Sequence, residues 1–159
     1  MNNWDDAATG ALEMIWDQVE SDRAFTVTIE VLRDDLDLFI ETKFDGGGET
    51  EEIQSMWGII GLDAIRIASE MRFPFTIESV QQTLVRKQRD YGHENIRRFG
   101  LQGLLVRIHD KVARLENLTS SGGTPNNESI EDTLLDIIGY SAIGIMWEKG
   151  DFLLELKPI

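Results

Sequence analysis

A chain of 159 residues with 42% hydrophobic content and three prolines can bury a sizeable core, and the absence of cysteine excludes disulfides and cysteine-bound zinc. Fifteen basic against 29 acidic residues give a formal charge of −14, which opposes the phosphate neutralisation that duplex nucleic acid demands. No apolar run reaches the ~18 residues of a membrane span, and the acidic start MNNWDDAATG lacks the basic region of a signal peptide, so a soluble, cytoplasmic protein with no membrane partner is expected.

In chain order, residues 7–20 (AATGALEMIWDQVE) place Leu12, Ile15, Trp16 and Val19 on one side of an amphipathic helix. FTVTIEV at 25–31 alternates like a strand, but no second strand is evident to pair with it. Leu32, Leu36, Phe39 and Ile40 have helical spacing, and one helix over 27–44 is predicted. DGGGET at 45–50 is the clearest break. A helix over 51–71 follows, carrying Ile53, Met56, Trp57, Ile60, Ile67 and Met71. Trp57, Ile59, Ile60 and Ile67 give it more apolar surface than one side needs, which predicts a homodimer or higher homo-oligomer through the N-terminal half.

FPF at 73–75 ends that helix, and Thr76 is the expected N-cap of the next, which runs to about Arg89. DYGHEN reads as a turn pivoting on Gly92. Residues 101–118 form a strong helix with Leu101, Leu104, Leu105, Ile108, Val112, Leu115 and Leu118 toward the core. After the loop SSGGTPNN at 120–127, ESIEDTLLDIIGYSAIGIMWEKG forms the last long helix, with Asn126 or Asn127 as its cap. The sum is an all-α helical bundle forming one compact unit, with 1–75 as an N-terminal region for packing or dimerisation and 76–159 as the second region.

The charge is uneven. Residues 81–118 carry a net +4, and the remainder carries −18. A basic segment inside an acidic chain suits a small polyanion, and it equally suits an internal ion-pair partner for the acidic parts.

Asp136 stands alone in the apolar run LLDIIGYSAIGIMW, where an unpaired carboxylate costs several kcal/mol. It falls at i+8 from Glu128 and i+4 from Asp132, so the three acids share one helix face, with Glu131 beside them as a substitute for Glu128. Like charges at that spacing repel unless a cation sits among them, and carboxylates with water and phosphate oxygens make the hard shell that Mg²⁺, or alternatively Mn²⁺, prefers. A solvated acidic first turn explains Glu128 and Glu131 as well, and a buried salt bridge would explain Asp136.

On the preceding helix Arg107, Asp110, Lys111 and Arg114 form a face opposite the leucines. Asp110 with Arg114 is an ordinary i,i+4 ion pair; set against the carboxylate helix, the same face offers one more metal oxygen and three cations for phosphates. Upstream, KQRDYGHEN supplies Lys87 for a phosphate, Tyr91 to stack on a base, and Asp90 or Asn95 to hydrogen-bond a base edge or sugar. A helix C-terminus and glycine turn explain much of that stretch too.

KQRDYG–HENIRRFGLQGLLVRIHDKVARLENL followed by NESIEDTLLDIIGY resembles the first nucleotide-modification-associated domain family of phages and bacteria, over roughly residues 77–148. Its pattern is met by Lys87, Asp90, Tyr91 and Gly92; by Arg107, Asp110, Lys111, Arg114 and Asn117; and by Glu128, Asp132, Asp136 and Tyr140. The family is similar in character to the MazG-like all-α nucleotide pyrophosphohydrolases. The resemblance therefore implies a Mg²⁺-dependent enzyme that cleaves a nucleoside triphosphate to monophosphate and pyrophosphate, in the host cytoplasm if phage-encoded.

In that scheme Asp110, Glu128, Asp132 and Asp136 hold the metal, and Asp110 and Asp132 are catalytic. Lys87, Arg107, Lys111 and Arg114 meet the triphosphate, while Asp90, Tyr91, Asn95, Asn117 and Tyr140 are further substrate contacts. The MazG-like signature, E-E-x-x-E then E-x-x-D, is met only in part, by Asp110 and by Glu128-x-x-x-Asp132. A non-catalytic nucleotide-binding or interaction protein is the alternative. His109-Asp110, with His93 and with Asp132 or Asp136, also spells a thin version of the HD-type phosphohydrolase motif.

Overall fold

A computed structural model describes residues 2–21, 27–44, 50–122 and 129–159. Among them are seven helices and no strand: α1 Trp4–Ser21, α2 Ile29–Phe44, α3 Thr50–Glu70, α4 Ile77–Tyr91, α5 Glu94–Arg97, α6 Gly100–Ser121 and α7 Ile130–Glu148. The strand-like alternation at 25–31 gives way to helix by Ile29. There the Thr28 hydroxyl accepts from the Val31 amide at 3.3 Å and the Thr28 carbonyl accepts from Leu32, so a helical start satisfies donors that a lone strand would leave unpaired.

The expected start of α4 is present as a reciprocal cap, with Thr76 Oγ1 accepting from Ser79 N and Ser79 Oγ accepting from Thr76 N. The helix runs two residues past Arg89, to Tyr91, and ends at Gly92, whose φ of 68° suits a residue without a side chain. The start of α7 differs from the expected asparagine cap. Ser129 is the N-cap, its hydroxyl accepting from Asp132 N at 3.0 Å, and Asn126, Asn127 and Glu128 lie outside the described residues.

The centre of the bundle is the contact between α3 and α7. Small residues let these helices approach closely. A Cβ on Gly144 of α7 would overlap the Trp57 ring of α3, and one on Gly61 of α3 would lie 3.2 Å from Ser141 Cβ of α7. Trp57 is fully buried and meets Phe39 of α2 edge-on, with centroids 4.6 Å apart. Ile60 and Ile67 are buried as well. The apolar excess of this helix is therefore largely consumed inside the chain, against α1, α2 and α7, leaving Ile59 exposed; Met71 lies past the helix end and is exposed too.

Because α1 packs on α3, α4 and α7, the N-terminal half and the C-terminal half share one core. Residues beyond α7 return over α1 and α4. Trp4 N donates to Glu155 O, Lys157 N to Asp5 Oδ1, and Arg89 Nη2 to Lys157 O. No helix among the described residues is long and apolar enough to cross a membrane.

Candidate functional site

The side chains that α4, α6 and α7 present to one another are organised around Asp136. Its carboxylate, 15% exposed, is gripped at both oxygens: Lys87 Nζ of α4 reaches Oδ1 at 2.7 Å and Lys111 Nζ of α6 reaches Oδ2 at 2.9 Å. Burial works to raise the Asp136 carboxyl, but the hydrogen bonds and charges of the two lysines outweigh it and hold the group below the usual carboxylate range. The lone acid in the apolar run is thus an internal ion pair, the alternative left open by the sequence.

Arg114 Nε donates to Thr133 Oγ1 at 3.2 Å. Moving three residues toward the C-terminus of α6 moves the partner three residues toward the N-terminus of α7, so the two helices are antiparallel neighbours. In that register Arg107 stands level with Tyr140, Lys111 with Asp136 and Arg114 with Thr133, which makes a ladder of cations along the seam. Arg107 also donates to the Asn95 carbonyl at 3.3 Å, fixing α5 beside α6.

A groove opens between α4 and α7, lined by Leu84, Lys87, Gln88, Tyr91, Asp136 and Tyr140 among others. Lys87 and Tyr91 of α4 and Asp136 and Tyr140 of α7 line this one groove. Gly139 forms part of the floor, where a Cβ would lie 2.8 Å from Leu84 Cδ2. The cavity volume is about 60 Å³, room for a few waters. Tyr91 is 66% exposed.

Other expected contacts disperse. Asn117 lines a separate groove between α2 and α6, with Ile29 and Glu30. Asp90 is exposed and does not line the α4–α7 groove. Asn95 keeps a buried Oδ1 with no hydrogen-bond partner. Asp110 and Asp132 are exposed and stand about 7 Å apart along the bundle axis in the register above.

Held by two ammonium groups, Asp136 offers no free carboxylate to a resident Mg²⁺. Among the described residues no group of three or more His, Asp or Glu could hold a metal, and Glu128 lies outside them. The two histidines face different neighbours. His93 Nδ1 meets Gln88 Nε2 at 2.7 Å with its ring against Phe152, while the exposed His109 places Nδ1 3.0 Å from Arg33 Nη1 of α2.

Gln88 was not singled out by spacing, yet it is buried, lines the groove and anchors His93. Its only sequence signal was its place at i+4 from Leu84 on the buried face of α4. Comparison with curated proteins and with solved structures gives no significant match. A family model does match part of the chain: residues 87–147, from Lys87 through Trp147, match the nucleotide modification associated domain 1 family.

Proposed function

We propose that this chain binds a nucleotide across α4, α6 and α7, with its phosphates on the cation ladder and its base against Tyr91 and Tyr140. The observation that carries the reading is the convergence of Lys87 and Lys111 on one carboxylate at the edge of a tyrosine-flanked groove. That arrangement holds an anion in water-poor surroundings, and a phosphate is the same chemistry with more charge and more acceptors. Arg107 and Arg114 extend the cationic strip by one helical turn each way, a span suited to a di- or triphosphate.

Hydrolysis to monophosphate and pyrophosphate, the MazG-like activity, is the second reading, favoured by the exposed Asp110 and Asp132 on the helices that bear the ladder. The test is calorimetric titration with the eight common NTPs and dNTPs and with tripolyphosphate, in Mg²⁺ or Mn²⁺, followed by chromatography of the mixtures. Binding is expected, and Tyr91→Ala is expected to weaken nucleotide affinity about tenfold while leaving tripolyphosphate unchanged. Appearance of monophosphate and pyrophosphate would establish the second reading. No binding by any nucleotide or by tripolyphosphate at low ionic strength would refute the proposal.

A further inference from the structure

Asp136 already occupies the place that the nucleotide reading gives to a phosphate. Each of its oxygens holds a lysine from a different helix, Lys87 Nζ of α4 on Oδ1 at 2.7 Å and Lys111 Nζ of α6 on Oδ2 at 2.9 Å. A phosphoryl group presents paired oxygens in the same way, with more charge and a further acceptor. Carboxylate and ligand are therefore rivals for one pair of cations, and an anion arriving while Asp136 keeps both meets a like charge at close range. The two lysines are not equally placed. The Lys87 side chain is 48% exposed and lines the groove between α4 and α7, whereas that of Lys111 is 21% exposed and does not line it. A lysine ammonium is a point charge on a flexible stem, so Lys87 can turn from one anion to another with no movement of its helix. Asp136, within α7, keeps Lys111 as its counter-charge throughout.

We infer that Asp136 is a built-in competitor that sets the affinity of the phosphate site: a nucleotide's phosphate binds by taking Lys87 from Asp136, one anion exchanged for another. The inference rests on the nucleotide reading and names what regulates that site. No covalent bond is made or broken, and Lys87 stays charged on both sides of the exchange. Binding therefore gains only the difference between a lysine–phosphate and a lysine–carboxylate contact. Removing the charge of Asp136 gives the ligand the whole contact. A merely structural ion pair makes the opposite demand, because loss of the acid would leave the lysines misplaced and the ligand bound no better.

The test titrates the whole chain and its Asp136→Asn variant with tripolyphosphate by calorimetry, at low ionic strength with EDTA present. Asparagine keeps the shape of the side chain and drops its charge. With circular dichroism unchanged, the variant should bind about tenfold tighter than the parent, a gain tempered by solvent screening at the exposed Lys87. In the parent, the carboxyl carbon resonance of Asp136 should shift at saturating tripolyphosphate as Lys87 leaves it, a readout that needs no variant to fold. Equal or weaker binding by the variant, or a resonance that stays in place at saturation, would overturn the inference and leave the nucleotide reading standing. No binding by either protein would bring down both.

Discussion

Asp63→Asn, at a buried acid of α3, should make this protein more stable than the parent, and increasingly so as pH rises. The ordinary Asp63 carboxyl titrates near 3.8, whereas burial and the neighbouring Asp35 push it up to about 9 in the fold. Between these values the folded chain holds a proton that the unfolded chain has released. Its favourable contribution is complete below about pH 4 and is lost progressively as pH climbs through 9. One proton corresponds to a slope of at most about 1.4 kcal/mol per pH unit.

From pH 5 to 8 the parent should therefore lose on the order of 4 kcal/mol relative to the asparagine variant. Asparagine has no proton to hold and can still donate a hydrogen bond to Asp35. Urea denaturation of both proteins at five pH values between 5 and 9 measures the widening gap directly. Taking the difference between the two proteins cancels the slopes of all the other titrating groups. Parallel profiles, or a variant less stable than the parent at pH 8, would refute the placement of a protonated acid at this position.

Two further outcomes follow from the packing and the ion pair. Gly144→Ala would set a Cβ in overlap with the buried Trp57 ring, and a cost of about 3 kcal/mol with a changed near-ultraviolet signal is expected; a stability within 0.5 kcal/mol of the parent, roughly the scatter of a neutral surface change, would show that the α3–α7 approach is looser than described. Asp136→Asn would leave Lys87 and Lys111 without their common counter-charge, for a loss of about 2–3 kcal/mol at pH 7 by chemical denaturation. Because the folded Asp136 carboxyl is depressed, that gap should begin to narrow as pH falls through the ordinary carboxylate range; a gap that stays constant as pH is lowered through and below that range would reject the ion-pair account.

Much of the fold was legible because helix formation here is written in local patterns. The 3.6-residue spacing of Leu104, Leu105, Ile108, Val112 and Leu115 fixed the buried face of α6, and Thr76 announced the start of α4. Lys87, Lys111, Asp136 and Tyr140, all singled out in the sequence, lie within the family-matched segment. What those residues do to one another was not legible. Helical spacing placed Asp136 on a face with Asp132, which suggested a shared cation. In three dimensions the cations that reach it are Lys87, 49 residues away, and Lys111, supplied by two neighbouring helices.

The expected cap of α7 failed for a related reason. Asn126, Asn127 and Ser129 are all competent cap residues, and only the backbone path selects which hydroxyl or amide meets the Asp132 amide. Asp63 carried in sequence the same signal as Asp136, a single acid in an apolar helix. One acquired two lysines and stays ionised; the other acquired a second carboxyl and keeps a proton. The sequence determined that two costly acids would be buried, and tertiary packing alone decided which charge each would meet.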